Sequence, residues 1–387
     1  TIENKPGYVG TTKVLGTAER LDAREHGFAQ LVNHTSNKDW SGEWGQLMKE
    51  VVEEKAQVIS QFSEEQKENF QWGNALVMAS DQWHVNLGPD RWESVPIAKD
   101  KLELPAEEMT IKLKKVAKWY GIEQIGVCEI TDDMKPYFFK IGRTKGTLRG
   151  GYDGYEDDGR EIPWPYPHKY CIVLGNFEDL QGTKGNTGAL NNVSVATECS
   201  DDDIYPIYLE SIIRSLGYDA KAQHIGGTED FLQAPFAVKA GLGELGRNNL
   251  LVSPFGAHIR LASVTTNMPL VPDNPIDIGL QEFCKNCKKC AENCPGEAIS
   301  MADEPEEING TLRYSIDPLK CSRYRFVYGC ATCAAVCPYS KEDNLVHSLG
   351  RVIGRNKTGG TLLKKLDDLF YGSNPVPRSI DDFAPWS

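Results

Sequence analysis

Eight of the eleven cysteines in this 387-residue chain lie between residues 284 and 337. The first run, C-K-N-C-K-K-C-A-E-N-C-P, contains Cys284, Cys287, Cys290 and Cys294. Its spacing, C-x2-C-x2-C-x3-C-P, is the bacterial ferredoxin pattern for a 4Fe–4S cluster. Because the two-residue gaps allow three thiolates to converge on one cluster from a tight turn, the run predicts iron–sulfur chemistry and one-electron transfer.

A second run, G-C-A-T-C-A-A-V-C-P, lacks one cysteine of the full pattern, which Cys321 can supply from nine residues upstream of Cys330. In ferredoxin runs the cysteine before the proline ligates the other cluster. The sequence therefore predicts two clusters with ligands crossed between the runs. The first set is Cys284, Cys287, Cys290 and Cys337; the second is Cys321, Cys330, Cys333 and Cys294.

Cysteines at close spacing can also form a disulfide framework or a pair of zinc sites. Zinc ribbons usually pair two C-x2-C knuckles without a third close cysteine or a C-P ending, so the iron–sulfur interpretation is favoured. Outside the two runs, Cys128 and Cys171 lie in apolar segments typical of buried structural thiols. Cys199 lies in the polar stretch T-E-C-S-D-D-D.

The composition is that of a large globular protein, with 40% hydrophobic and 25% charged residues. A net charge of −13 argues against binding to a nucleic-acid backbone. No run of 18 apolar residues occurs, so no membrane span is predicted. The first residues, T-I-E-N-K-P-G, are not a signal peptide, so the chain is either cytoplasmic or a mature form whose leader has been removed.

Periodicity divides the chain into an N-terminal arm and helical unit (1–104), an α/β domain (105–280), a cluster module (281–345) and an irregular C-terminal tail (346–387). Residues 1–40 are expected to form an extended arm, with a helix following Ser41. The α/β domain is predicted to contain helix 105–120, strands at 125–130, 169–177, 250–252 and 259–265, and an insertion at about 143–168. A helix capped by residues 201–203 is expected to end at Gly217. The G-L-G-E-L-G segment only weakly matches a dinucleotide fingerprint, because no strand precedes it.

Residues 234–270, A-P-F-A-V-K-A-G-L-G-E-L-G-R-N-N-L-L-V-S-P-F-G-A-H-I-R-L-A-S-V-T-T-N-M-P-L, run directly into the first cysteine run. This order of blocks closely resembles that of respiratory reductive dehalogenases, and the resemblance covers roughly residues 110–345. It implies a nitroreductase-like α/β sandwich that holds a corrinoid (cobalamin) beside a ferredoxin-like module with two 4Fe–4S clusters. It also implies base-off cobalamin without a histidine ligand, and none of the seven histidines lies in a D-x-H-x-x-G pattern.

The resemblance also implies roles for individual residues. Arg260 matches the arginine that faces the halide side of the pocket, where its permanent charge can hold a leaving anion. The proton donor is assigned to Tyr205, while Tyr208 and the region of Cys199 remain alternatives. The corrinoid-binding residues are expected to be Gly241, Gly243, Arg247, Ser253, Phe255, Gly256 and Thr228.

The resulting hypothesis is a reductive dehalogenase acting on a small organohalide, a chlorinated aliphatic being favoured because the many aromatic residues suggest a compact apolar pocket. The alternatives are an epoxyqueuosine reductase-like enzyme acting on tRNA, which the acidic charge disfavours, and a ferredoxin-type electron carrier. The resemblance further implies an electron donor from the respiratory chain, a small membrane anchor protein and no nucleic-acid partner, and it allows a homodimer. It places the mature protein on the outer face of the cytoplasmic membrane, after removal of a twin-arginine leader.

Overall fold

The structure, a computed structural model, describes residues 3–4, 10–80, 94–144, 157–185, 188–223, 229–341, 345–354 and 357–374. The helices are α1 Gly27–Asn37, α2 Gly42–Ser60, α3 Glu64–Ser80, α4 Ala106–Trp119, α5 Leu180–Lys184, α6 Ala189–Ser215, α7 Gln233–Lys239, α8 Leu280–Cys287, α9 Lys289–Glu292, α10 Pro318–Tyr328, α11 Thr332–Ala335, α12 Leu345–Ile353 and α13 Lys357–Tyr371. Short 3₁₀ helices are formed by Ala23–Glu25 and Asp132–Tyr137.

The strands are β1 Glu3–Asn4, β2 Gln124–Glu129, β3 Ile141–Gly142, β4 Arg160–Glu161, β5 Tyr170–Phe177, β6 Ala220–Gln223, β7 Glu244–Leu245, β8 Leu251–Val252, β9 Ile259–Thr266, β10 Ile276–Asp277, β11 Glu306–Ile308 and β12 Thr311–Arg313. Among the described residues, no helix is long and apolar enough to cross a membrane.

A four-stranded antiparallel sheet, in the order β2-β5-β9-β6, organises the larger domain. Side chains alternate between its two faces, so each strand contributes to two apolar cores. One core joins the sheet to α4 and α6 through buried residues such as Ile172, Val264 and Ile213. The other joins it to α7 through residues such as Val173 and Phe236. The sheet therefore lies between helices, which fixes the positions of side chains at its ends.

Helix α6 is longer at its N-terminal end than the sequence analysis predicts. The acidic residues 201–203 do not cap a helix but lie inside one that begins at Ala189. Asp202 and Asp203 are 3% and 0% exposed. The prediction was wrong because acidic residues usually cap helices in water, whereas here packing against the sheet holds them inside one.

Two further expectations are corrected at the ends of the chain. The N-terminal region is not wholly extended, since it includes α1. The C-terminal tail is not wholly irregular, since α12 and α13 form within it, and α13 packs against α8 of the cluster module. Glycines at 350, 354, 359 and 360 lower helix propensity there, and tertiary contacts outweigh this local preference.

A buried ionic network attaches α13 to the cluster module. The Nζ atom of Lys289 lies 2.5 Å from Asp367 Oδ2 and 2.7 Å from Asp368 Oδ1, and it donates to the Gly372 carbonyl. Lys341 Nζ approaches Asp367 Oδ1 at 3.3 Å from the other side. The side chains of Lys289 and Asp367 are each 3% exposed, so removing either partner leaves a buried charge less well compensated.

The substitution Lys289→Met is therefore expected to lower the free energy of unfolding by about 3 kcal/mol, the lower end for breaking a buried ion pair. Lys285→Met is the matched control, because Lys285 pairs with Glu304 near the surface and such pairs contribute about 0–1 kcal/mol. Urea unfolding of both variants under anaerobic conditions measures the difference. Equal losses would show that the Lys289 network does not hold the C-terminal helix.

Candidate iron–sulfur module and sheet-end site

The cysteines of the two runs interleave in space. One small cleft is lined by Cys284, Cys287 and Cys290 from the first run and by Cys337 from the second; Cys333 also reaches its wall. Cys330, Cys321 and Cys294 interact electrostatically with Cys333, and so does Cys290. Cys333 therefore lies beside both groups of cysteines, and the crossed grouping stays a prediction.

Seven of the eight cysteines of the two runs are buried or half-buried, whereas Cys321 is exposed. All eleven cysteines lie in the described segments, and none of them forms a disulfide there. Burial raises the pKa of Cys284 to about 12 and raises the pKa of Cys287 and Cys333 further. Burial therefore favours the neutral thiols, and iron would have to displace their protons in order to bind. In the described part of the chain no three His, Cys, Asp or Glu side chains lie close enough together to bind a single metal ion. The thiolates of a cubane cluster bind different iron atoms, so they lie further apart than the ligands of one ion.

Arg247 joins the larger domain to the cluster module. Its guanidinium donates to the carbonyls of Cys284, Ser300 and Ala302 and lies 3.9 Å from the centre of the Tyr314 ring. The residue is 1% exposed. These contacts indicate that Arg247 holds the cluster module in place. A direct contact between Arg247 and a corrinoid stays a prediction.

The glycines expected to bind the corrinoid have structural reasons of their own. Gly241 has φ +77°, and a Cβ there would meet the Asn274 carbonyl at 2.5 Å. A Cβ on Gly243 would meet the Val252 carbonyl at 2.3 Å. Close backbone approach therefore requires glycine at both positions, whether or not a corrinoid lies nearby.

The turn at residues 253–256 offers a more open surface. Ser253 accepts a bond from the Phe255 amide, and its own amide donates to the Gly256 carbonyl. Phe255 is 41% exposed and lies edge-on to Phe177 at 6.0 Å. Gly256 has φ +141° and abuts His258, where a Cβ would clash with the ring. Thr228, the remaining expected contact, lies outside the described residues.

Arg260 lies at the end of the central sheet where β2 begins, β5 ends and β9 begins. It pairs in register with Asn176, and its Nε lies 2.8 Å from Glu178 Oε1. The N–H does not point at the carboxylate, so Nε makes an ion pair without a formal hydrogen bond. Although burial opposes its charge, Cys199, Glu178 and Asp202 together keep the pKa of Arg260 above its usual value.

Helix α6 brings several acids to the same end of the sheet. Glu198, Asp202 and Tyr205 are spaced i, i+4 and i+7, which places them along one stripe. Burial, with the like charges of Asp201, Glu123 and Glu178, raises the pKa of Glu198 to about 8. Burial likewise raises the pKa of Asp202 well above its usual range, even though the charge of Arg260 acts in the opposite direction. Burial and like charges therefore favour the protonated form of both acids.

The three proton-donor candidates from the sequence lie in different surroundings. Cys199 is 3% exposed and interacts electrostatically with Arg260. The Tyr205 hydroxyl lies near Gly121, 3.4 Å from where a Cβ would stand there, and burial raises the pKa of Tyr205. Tyr208 is 42% exposed, and its ring packs 5.0 Å from that of Tyr120.

Sequence reasoning missed Glu178, Glu198 and Asp202 as members of this site. A signal was present, because Glu198 and Asp202 are spaced as neighbours on a helix face once the helix is known to begin before them. Three buried polar atoms of the site have no hydrogen-bond partner among the described residues: Arg260 Nε, Glu198 Oε2 and Asp202 Oδ2. Unpaired buried polar atoms of this kind fit a pocket that a bound group completes.

Comparisons with known proteins are consistent with this arrangement. Residues 283–341 match the model of a 4Fe-4S dicluster domain. The tetrachloroethene reductive dehalogenase of Dehalobacter restrictus is 28% identical over 306 residues, which covers 70% of this chain and 55% of the relative. The solved structure of the catabolic reductive dehalogenase NpRdhA superposes with a TM-score of 0.69 at 20% identity, covering 96% of this chain and 49% of that one. The chain is thus similar to reductive dehalogenases in sequence, and its fold is similar to that of a solved member.

This relationship confirms the predicted resemblance and the predicted fold class, a mixed helix-and-sheet domain with an iron–sulfur module. The chain spans about half the length of these relatives. A shorter match is to the epoxyqueuosine reductase of Bacillus subtilis, 29% identical over 143 residues and covering 34% of this chain and 35% of the relative. The dehalogenase relationship thus extends over twice as much of the chain.

Proposed function

We propose that this protein is a reductive dehalogenase that removes halogen from a small chlorinated aliphatic compound, using cobalamin and two 4Fe–4S clusters. The observation that carries the proposal is one chain that combines two interleaved cysteine runs with the Arg260–Glu178 pair at the end of the sheet, where α11 of the cysteine module contacts α5, the helix that follows Glu178. The relative from Dehalobacter restrictus is named for tetrachloroethene, and a solved structure of a related dehalogenase is described in terms of B12-dependent dehalogenation.

The residues have distinct parts in this proposal. The crossed cysteines would hold the clusters, and the turn of Ser253, Phe255 and Gly256 would adjoin the cobalamin. When bound, cobalamin supplies the redox-active cobalt that reduces the carbon–halogen bond. Arg260 would stabilise the departing halide, because its guanidinium keeps a positive charge at every relevant pH.

The proposal predicts about eight iron and about one cobalt per chain in protein made where corrinoid is available. It also predicts halide release from chlorinated alkenes or alkanes in an anaerobic assay driven by reduced viologen, with chlorinated phenols as a comparison panel. An electron carrier would contain iron without the visible absorption bands of a corrinoid. Full cofactor loading without release of halide from any compound of the panel would contradict the proposal.

A proposed location and partners rest on the resemblance. The mature protein would lie on the outer face of the cytoplasmic membrane, bound to a small anchor protein and reduced by a donor from the respiratory chain. Fractionation of the native host distinguishes this arrangement, since recovery of the mature chain from the cytosol would contradict it.

A further inference from the structure

We propose that the carboxylic acid of Glu198 donates the proton that replaces the halogen on the substrate carbon, an inference that rests on the proposed dehalogenation. Glu198 lies on α6, which packs along β9 and so faces the Arg260 end of the sheet. Its Oε2 atom is buried and has no hydrogen-bond partner among the described residues. Oε2 is therefore available for a hydrogen bond to a bound substrate.

The charge balance at the sheet end explains why Glu198 keeps a proton. One guanidinium, that of Arg260, faces the carboxyl groups of Glu178, Asp202 and Glu198. Arg260 forms its ion pair with Glu178, at 2.8 Å. Because a single positive charge compensates three neighbouring carboxylates only in part, the protonated forms of the remaining two acids are favoured.

Carboxyl groups from several elements oppose the ionisation of Glu198. Its own helix contributes Asp201, the segment before β2 contributes Glu123, and the end of β5 contributes Glu178, all of which oppose ionisation. Arg260 on β9 favours ionisation but has the smallest influence of these groups. The end of α3, which also packs on α6, contributes the neutral Ser80, bonded to Thr197 and Ser200. A donor titrating near pH 8 suits general acid catalysis at neutral pH.

Glu198 is more exposed to solvent than the neighbouring Asp202 and Cys199. Asp202 and Cys199 are each 3% exposed, so they are closed off from a ligand and from solvent protons. Glu198 is half-buried, so it can face a substrate and afterwards regain a proton from water. The Tyr205 hydroxyl lies at Gly121, and the raised pKa of this tyrosine makes it the weaker acid.

Two electrons and one proton replace the halogen in this reaction. A one-electron reductant supplies the two electrons, one at a time, through the iron–sulfur module; the carbon–halogen bond breaks and the halogen leaves as halide. The carbon then takes the proton from Glu198, forming a new C–H bond and leaving a carboxylate. Arg260 compensates that new negative charge until a solvent proton restores the acid.

The test compares Glu198→Gln, which keeps the shape but cannot donate an acidic proton, with Glu198→Asp, which keeps the acid. Glu210→Gln is the matched control, because Glu210 is a buried acid on the same helix that accepts from Ser94 away from the site. Turnover with reduced viologen is measured against pH, with iron and cobalt determined on each preparation. Infrared difference spectra of the substrate-free protein record the protonated carboxyl group independently of activity.

Glu198→Gln is expected to lose on the order of 10²-fold or more in turnover at normal metal content, while Glu198→Asp recovers part of it and Glu210→Gln is unaffected. Wild-type turnover should fall as pH rises through about 8, where Glu198 loses its proton, and the infrared carboxylic-acid band that disappears over the same pH range should be absent from Glu198→Gln. Full turnover in Glu198→Gln, or a loss confined to Tyr205→Phe, would overturn the inference and leave the dehalogenase proposal intact. A fully loaded wild-type protein without turnover would overturn the dehalogenase proposal itself.

Discussion

Replacing Cys294 with serine is expected to remove about half of the iron and to abolish the signal of the cluster held by Cys321, Cys330 and Cys333. The reason is the crossed ligation, in which the cysteine before the proline serves the other cluster. The electrostatic neighbours of Cys321 and Cys333 include Cys294, which agrees with this grouping. Viologen-driven turnover should be lost with the cluster, because electrons then have no complete path. Iron analysis and electron paramagnetic resonance of the reduced protein measure both effects.

Two comparisons make this result specific. Cys290→Ser should remove the other cluster, because Cys290 lines the cleft shared with Cys284, Cys287 and Cys337. Cys128→Ala is the matched control, because Cys128 lies in the central sheet, opposite Cys171 on the neighbouring strand. This substitution should leave the iron content unchanged. If Cys290→Ser and Cys294→Ser abolished the same signal, the crossed assignment would be wrong.

Replacing Arg260 with lysine is expected to reduce turnover by on the order of 10²-fold while iron and cobalt contents stay near normal. Lysine keeps the positive charge but loses the planar fork of donors, so it cannot hold Glu178 and a departing halide together. The assay is viologen-driven halide release, normalised to bound cobalt.

Arg24→Lys is the matched control, because Arg24 pairs with Asp22 in the N-terminal region, far along the chain from β9. Its turnover should match that of the unsubstituted protein. If Arg260→Lys retained full turnover per cobalt, Arg260 would be a structural residue; a parallel loss of metal and turnover would indicate the same.

The iron–sulfur module could be predicted from the sequence because its chemistry is local. Two-residue spacings place three thiolates on one turn, so the pattern itself encodes a cluster site. The main strands were predicted for a similar reason. Strands β5 and β9 are apolar runs, and the structure assigns them to Tyr170–Phe177 and Ile259–Thr266, within one residue of the predicted bounds.

The acids of the sheet-end site could not be predicted in this way. Glu178, Glu198 and Arg260 are far apart in the chain, and each one alone is typical of a solvated surface. Even the length of α6 was underestimated, because three consecutive aspartates favour a helix start when only local interactions are considered.

The sequence by itself determined the cysteine module and the order of elements around it, because these depend on neighbours in the chain. Only the tertiary structure decided that Glu198 and Asp202 face Arg260 at one end of the sheet. Their protonation depends on burial and on the sum of nearby charges, and both quantities exist only once the helix has packed on the sheet.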